Sequence, residues 1–262
     1  MPFVSVQGHR LEYDVIRVAS ADAPTIVFLH EGLGSLAMWK DFPERVARAT
    51  HCHALVYSRH GYGRSDPLTG ARDVGFMHDE ALQALPEFLD KLGVDRPILF
   101  GHSDGASIAL IHAGGGTRPV RALILMAPHV LVEDITIESI VAAKRTYETT
   151  DLPAKLGRYH ANVDSAFWGW NDVWLNPEFR AWNIEAFLPR IACPILAIQG
   201  ESDEYGTMDQ IARIERAAAD VETLKLPNCA HSPQRDKPDE VIAAAAAFID
   251  RLREASAAAP GG

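Results

Sequence analysis

The stretch Gly101-His102-Ser103-Asp104-Gly105 decides how the rest of the chain is interpreted. It matches the pattern G-x-S-x-G, with an apolar run at 98–100 before it and a helical pattern from Ala106 onward. A sharp turn between a strand and a helix holds one side chain above the sheet, and its neighbours must be small because the two backbones pass close together. The pattern predicts that Ser103 is a nucleophile, although a serine here is also compatible with an ordinary helix N-cap.

Two distant segments favour the nucleophile over the N-cap. Asp203 follows the apolar run at 195–198, and His231 follows the run at 224–226. Each side chain therefore comes just after a strand-like segment, and serine, aspartate, histidine is one of the chain orders in which catalytic triads occur. In this interpretation His231 is the general base and Asp203 orients its imidazole. Asp134, which follows the preceding predicted strand, is the alternative acid.

An attack by the serine would create an oxyanion that needs preorganised hydrogen-bond donors. The backbone N–H of Asp104 is one expected donor, because it lies at the start of a helix, where the dipole favours negative charge. A second donor is also required, and Gly32 is the simplest candidate, since glycine lets a backbone approach a ligand closely. Neighbouring Glu31 and Leu33 are alternatives for that donor and candidates for substrate binding.

The organisation of the chain predicts an α/β fold. After a hairpin pattern at 3–15, apolar runs alternate with helical patterns, which is typical of a mostly parallel twisted sheet flanked by helices on both faces. The rhythm breaks between Pro128 and Pro194, where no strand pattern is evident. We therefore expect a helical cap inserted after the sixth strand. The expected boundaries are a core domain at 1–127 and 191–254, a cap at 128–190 and a flexible tail at 255–262.

The predicted cap carries four of the five tryptophans of the chain. Trp168 and Trp170 are candidates for lining a substrate cavity. The alternative is that these rings pack the core of the cap itself, as most aromatic side chains do.

Composition narrows the range of partners. A formal net charge of −10 over 262 residues opposes binding to nucleic acids and to anionic membranes, so neither is an expected partner. A secretory signal pattern, a membrane-spanning run and a disulfide framework are not evident in the sequence, which favours a cytoplasmic location.

His51 and His53 are spaced to share one face of a strand, but a third ligand is not evident, so neither a metal nor a cofactor is expected. A small-molecule substrate is the expected partner, and a homodimer is left open.

Three segments around the predicted site resemble the α/β-hydrolase superfamily, and more narrowly its small, cap-bearing bacterial esterases and C–C-bond hydrolases. His30-Glu31-Gly32-Leu33-Gly34 stands where that family carries its oxyanion loop. Tyr57-Ser58-Arg59-His60-Gly61-Tyr62-Gly63-Arg64-Ser65-Asp66 resembles the family segment D-x-R-G-x-G-x-S, and His231-Ser232-Pro233-Gln234 resembles its histidine loop. The resemblance spans nearly the whole chain and implies the α/β-hydrolase fold.

The chain departs from the family pattern at two positions. Glu31 replaces the glycine that more often follows the histidine of the oxyanion loop, and His60 stands where glycine or alanine is usual. Glu31 places a carboxylate near the predicted site. It could repel anionic substrates, bind a cationic group, or face away into a hydrogen bond.

A serine nucleophile in this family implies acyl transfer. The leading hypothesis is an enzyme without a cofactor that cleaves a carboxylic ester, thioester or lactone of a small to medium, largely apolar substrate through an acyl-enzyme on Ser103. The first alternative is a C–C-bond hydrolase of vinylogous diketones from aromatic-ring cleavage, with Arg145, Arg158 or Arg180 holding the substrate carboxylate. The alternative of another class is a ligand-sensing receptor with this fold and little or no turnover.

Overall fold

The fold is built on one eight-stranded sheet. A computed structural model describes residues 1–18, 20–116 and 118–258. The strands are β1 (Phe3–Val6), β2 (His9–Ile16), β3 (Thr25–Leu29), β4 (His53–Tyr57), β5 (Ile98–His102), β6 (Ala122–Met126), β7 (Ile195–Gly200) and β8 (Val221–Leu226). Their order is β1-β2-β4-β3-β5-β6-β7-β8, with β1 and β2 antiparallel to their neighbours and all other pairs parallel.

The central strands are apolar along their whole length because helices cover both faces of the sheet. Every residue of β4, β5, β6 and β7 is buried. Side chains alternate between two hydrophobic clusters, one on each face: Leu99 of β5 packs into one cluster, whereas Ile98 and Phe100 pack into the other. This burial fixes the strands, so the loops at their carboxyl ends are presented from a rigid frame.

Ten α-helices connect and flank the strands within the described ranges. They are α1 (Phe42–Thr50), α2 (Phe76–Asp79), α3 (Leu85–Lys91), α4 (Asp104–Gly115), α5 (Asp134–Thr149), α6 (Leu152–Leu156), α7 (Val163–Trp174), α8 (Asp209–Ala217), α9 (Pro233–Asp236) and α10 (Pro238–Ala258). A π-helical turn, Glu80–Ala84, joins α2 to α3. No described helix has the length and apolar character needed to cross a membrane.

The segment between β6 and β7 is helical, as the loss of strand pattern predicts. It contains α5, α6 and α7, followed by two 3₁₀ segments, Pro177–Ala181 and Glu185–Arg190. Its contacts with the core include a hydrogen bond from the Ala161 N–H to the Gly63 carbonyl at 2.8 Å and one from the Leu68 N–H to Ser165 Oγ at 2.9 Å. These bonds dock the start of α7 on the loop that follows β4.

The C-terminal helix is longer than the sequence pattern indicates. The expected tail begins at residue 255, but α10 continues to Ala258. The physical reason is that alanine has the highest helix propensity, so an alanine-rich segment extends a helix that is already packed against the core. Residues 259–262 of the expected tail lie outside the described residues.

Candidate active site

The turn between β5 and α4 holds Ser103 in a strained conformation. Its φ of 52° and ψ of −118° are unusual for a residue with a side chain. The Ser103 N–H donates to the Met126 carbonyl at 2.9 Å, which anchors the turn to β6. A side chain at Gly105 would overlap the carbonyl group of Leu29, so only glycine allows α4 to pass this close to β3. Backbone strain of this kind is typical of functional sites.

The structure brings the three predicted catalytic side chains together. His231 Nε2 lies 2.9 Å from Ser103 Oγ, and His231 Nδ1 lies 2.8 Å from Asp203 Oδ1 and 3.0 Å from Oδ2. An ionised carboxylate can only accept, so the Nδ1–H donates to Asp203. Nε2 of that tautomer is free to accept the proton of the Ser103 hydroxyl. This is the arrangement that activates a serine nucleophile.

Asp203 is held as a buried carboxylate by donors on both oxygens. The backbone N–H of Tyr205 donates to Oδ1 at 2.8 Å, and the Gln199 side-chain amide donates to Oδ2 at 2.7 Å. Burial alone would raise the pKa of Asp203, but the hydrogen bond and charge of His231 and the backbone donor hold it below its usual value. Asp134, the alternative acid, is exposed at the start of α5 and pairs with Arg180 instead.

Gly32 and Asp104, the two expected oxyanion donors, line the same cavity as Ser103. Asp104 is the first residue of α4, where a backbone N–H has no partner within the helix. Gly32 lies directly against Trp170, because a side chain at Gly32 would overlap the indole ring. The assignment of their N–H groups to an oxyanion hole stays a prediction.

The cavity beside Ser103 has a volume of about 230 Å³. Glu31, Leu33 and Trp170, three of the four expected substrate-binding residues, line it. Trp168 lines a different cavity at the surface and meets Tyr147 edge-on, with ring centroids 5.4 Å apart. The two tryptophans diverge because residues two positions apart on a helix point in nearly opposite directions.

Glu31 and His102 form a second histidine–carboxylate pair behind the triad. His102 Nδ1 lies 3.3 Å from Glu31 Oε2, and His102 Nε2 lies 2.7 Å from the carbonyl oxygen of His231. Burial alone would raise the pKa of Glu31, but the hydrogen bond from His102 lowers it to about 2. Burial opposes the charge on His102, yet the bond to Glu31 raises its pKa overall. The Glu31 side chain therefore faces a hydrogen-bond partner, one of the three possibilities left open by the sequence.

The structure adds cavity residues that the sequence did not single out. They include Thr136, Ile140, Tyr205 and His129, and Trp174, one of the four tryptophans of the predicted cap, lines the cavity as well. His129 is buried, and burial lowers its pKa to about 3, so the imidazole is neutral. For His129 and Tyr205 the available sequence signal was their position shortly after β6 and β7, near the carboxyl edge of the sheet where ligands bind in open α/β folds.

Charged side chains in the cavity lining are mostly acidic. Glu31, Asp104 and Glu204 line it, together with Arg235, which is exposed. Arg145, Arg158 and Arg180, the expected carboxylate-binding candidates, are exposed and belong to the outer surface of the helical segment. Apart from the histidines, the lining residues within the described part of the chain therefore include no buried basic side chain.

Comparisons with known proteins agree with this fold. Residues 26–245 match the model of the "Alpha/beta hydrolase family". A 2-hydroxy-6-oxo-6-phenylhexa-2,4-dienoate hydrolase from Comamonas testosteroni is 22% identical over 262 residues, covering 90% of each chain. The enol-lactonase from Burkholderia xenovorans has a TM-score of 0.76, with 17% identity over 95% of this chain and 100% of the other. A carboxylesterase from Nitrososphaera gargenis has a TM-score of 0.78, with 17% identity over 97% and 100% of the two chains.

Proposed function

Because the chain belongs to the alpha/beta hydrolase family, we propose that it is a serine hydrolase that cleaves carboxylic esters through an acyl-enzyme on Ser103. The observation that carries this proposal is the unbroken chain of hydrogen bonds from Asp203 through His231 to Ser103 Oγ. A serine hydroxyl is a weak nucleophile unless a positioned base removes its proton. The three side chains meet that requirement without rearrangement.

The proposed reaction proceeds in two halves. In the first, Ser103 Oγ attacks the ester carbonyl carbon while its proton passes to His231 Nε2, and the imidazolium then gives that proton to the departing alcohol. In the second, water attacks the acyl-enzyme, His231 takes a proton from that water, and the proton returns to Ser103 as the acid leaves. Asp203 stabilises the imidazolium in both halves and remains ionised.

The developing negative charge on the carbonyl oxygen would be stabilised by two backbone N–H groups, those of Gly32 and Asp104. Supporting this assignment, both residues line the cavity at Ser103, and the Asp104 N–H lies at the amino end of α4. In comparable sites the loss of one such donor costs about 2.7–4 kcal/mol of transition-state stabilisation.

The cavity favours an ester over the alternative substrate. Vinylogous diketones from ring cleavage carry a carboxylate, and desolvating an anion among carboxylates costs free energy unless a cation pairs with it. Glu31 and Asp104 line the cavity together with the exposed Glu204, and its one guanidinium, Arg235, is exposed as well. The aromatic walls formed by Trp170 and Trp174 suit a small or medium, largely apolar group. C–C-bond hydrolysis remains the second candidate because curated relatives carry that name.

The test is hydrolysis of p-nitrophenyl esters from acetate to octanoate by the wild type, by Ser103→Ala and by Ser5→Ala, which changes an exposed serine on β1. We expect turnover by the wild type and Ser5→Ala, and a loss of about 10³-fold or more in Ser103→Ala. Equal turnover in Ser103→Ala would remove Ser103 from the mechanism. An inactive wild type that instead cleaves a vinylogous diketone would establish the C–C hydrolase. Binding without turnover of either class would favour the receptor.

A further inference from the structure

Asp104 presents an unsatisfied carboxylate oxygen beside the nucleophile. The side chain is 1% exposed and lines the cavity that contains Ser103. Its Oδ1 accepts a hydrogen bond from the Trp174 indole N–H at 3.2 Å. Its Oδ2 is buried without a hydrogen-bond partner among the described residues. Buried polar atoms in folded proteins nearly always have a protein or water partner, so this oxygen can accept from a donor outside the chain, an ordered water in the free protein or a ligand group in its place.

The charge state of Asp104 depends on what binds next to it. Burial raises its pKa, while the charges of Arg59 and Arg72 oppose that rise. Neither arginine lines the cavity: Arg59 Nη2 donates to the Glu31 carbonyl at 2.9 Å, and Arg72 Nη2 donates to the His60 carbonyl at 2.7 Å. A cation placed in the cavity would add to their effect and favour the ionised carboxylate.

The surroundings of Asp104 in the cavity also suit a cation. Trp170, Trp174 and Tyr205 form part of the wall, and aromatic rings attract ammonium groups through their quadrupoles. Glu31 and Glu204 add two further carboxylates to the lining. Glu31 is already paired with His102, and Glu204 and Arg235 are both exposed, so Asp104 is the buried lining carboxylate whose pairing an ammonium would complete.

We propose that Asp104 Oδ2 is the recognition group of a subsite for a primary ammonium on the acyl part of the substrate, close to the scissile carbonyl. The ammonium is assigned to the acyl part of the substrate because the backbone N–H of the same Asp104 binds the carbonyl oxygen in the proposed mechanism. This inference rests on the proposed ester hydrolysis and narrows it to amino-acyl esters. The rest of the acyl group packs against the aromatic walls.

The experiment compares benzyl esters whose acyl groups have nearly the same shape. Alanine benzyl ester is matched with benzyl 2-methylpropanoate, and 3-aminopropanoate with butanoate, because each pair exchanges an ammonium for a methyl group. Benzyl 3-hydroxypropanoate tests a neutral donor, and monobenzyl malonate tests an anion. We expect kcat/KM for at least one amino ester to exceed that of its methyl partner by about tenfold or more. We expect the malonate ester to be the poorest substrate.

The readout is the ratio, within one protein, of kcat/KM for an amino ester to kcat/KM for its methyl counterpart. A general loss of activity in a variant lowers both values and does not affect this ratio. Asp104→Asn keeps the size of the side chain and the backbone N–H but removes the charge, and the ratio should fall to about one or below. Glu201→Gln removes an exposed carboxylate outside the cavity and should leave the ratio as in the wild type. Thermal unfolding of each variant shows whether it is folded.

Several outcomes would overturn the inference while leaving ester hydrolysis intact. One is a wild type with a higher kcat/KM for both methyl counterparts than for the matched amino esters. This result needs no variant to interpret. Another is a preference for the hydroxy ester over its amino counterpart, which would indicate a protonated carboxyl that takes a neutral partner. A third is an amino-ester preference that survives in Asp104→Asn. Failure to cleave any ester would instead overturn the proposed function and the inference with it.

Discussion

The carbonyl oxygen of His231 lies 2.7 Å from His102 Nε2, so the residue before Ser103 holds the backbone of the proposed general base. Only a protonated Nε2 can donate to that carbonyl. The other ring nitrogen faces Glu31 at 3.3 Å and the Gln234 side-chain amide at 3.0 Å. The loop of Glu31, the turn at Ser103 and the loop of His231 are therefore tied together by one buried imidazole, independently of the hydrogen bonds between Ser103, His231 and Asp203.

Loss of this imidazole should destabilise the protein in a pH-dependent way. The pKa of His102 is raised above its usual 6.5, and that of Glu31 is lowered from 4.5 to about 2. The raised pKa of His102 gives stabilisation that is fully present below pH 6.5 and is lost as the pH rises through the folded-state pKa. The lowered pKa of Glu31 gives stabilisation that is present above pH 4.5 and is lost as the pH falls toward 2.

The difference in urea midpoint between the wild type and His102→Gln should therefore be larger near about pH 5.5 than near about pH 8.5. Gln234 and the carbonyl of His231 face the same ring, and neither titrates in this range. A difference that grows steadily as the pH rises would show that His102 is neutral in the folded protein. Urea denaturation followed by tryptophan fluorescence provides the measurement.

Replacement of the catalytic acid should abolish most of the turnover. Asp203→Asn places an amide beside His231 Nδ1, which favours the wrong imidazole tautomer, and in serine proteases the equivalent change lowers kcat by about 10⁴-fold. We expect a loss of about 10³- to 10⁴-fold in ester hydrolysis at neutral pH. Asp134→Asn is the matched control, since Asp134 is exposed and pairs with Arg180, and it should keep full activity. The reverse pattern would make Asp134 the catalytic acid.

A methyl group at Gly32 should damage the site more than it damages the fold. The added carbon would overlap the Trp170 indole, so one wall of the cavity must shift. Overpacking of this kind typically costs about 1–3 kcal/mol, and we expect Gly32→Ala to lower kcat/KM by about tenfold or more. Gly70→Ala is the control, because a side chain there meets open space. Equal kinetics for the two variants would show that Gly32 and Trp170 are not closely packed.

Two neighbouring tryptophans should respond differently to the same change. Trp170 lines the Ser103 cavity, whereas Trp168 lines a surface cavity and lies near Lys144, 5.5 Å from its ring centre. Trp170→Leu should shift the preferred acyl length of p-nitrophenyl esters, because it changes the volume of the cavity. Trp168→Leu should leave that preference unchanged. An altered preference in Trp168→Leu alone would place the substrate on the other side of α7.

The sequence predicted the elements that depend on local pattern. The apolar runs became buried strands because only a sheet covered on both faces accepts continuous apolar residues. The turn at Ser103 followed from its small neighbours, and the order of Asp203 and His231 along the chain matched the carboxyl ends of the strands that present them. The proline-flanked stretch without strand pattern, from Pro128 to Pro194, was correctly predicted to be helical. The predicted start of the tail, residue 255, lies four residues before the end of α10 at Ala258, where alanine extends the helix.

Only the tertiary structure decided which side chains face the cavity. A helix turns by about 100° per residue, so its exact rotation separates Trp170 from Trp168, and the packing of distant elements sets that rotation. The bond from Trp174 to Asp104 joins residues 70 positions apart, and the pair of His102 with Glu31 joins residues 71 positions apart. No local pattern encodes such contacts, because they arise when separate strands and helices meet around one core. The sequence therefore determined which side chains are predicted to be catalytic, and the assembled fold determined the charge and shape of the cavity beside Ser103.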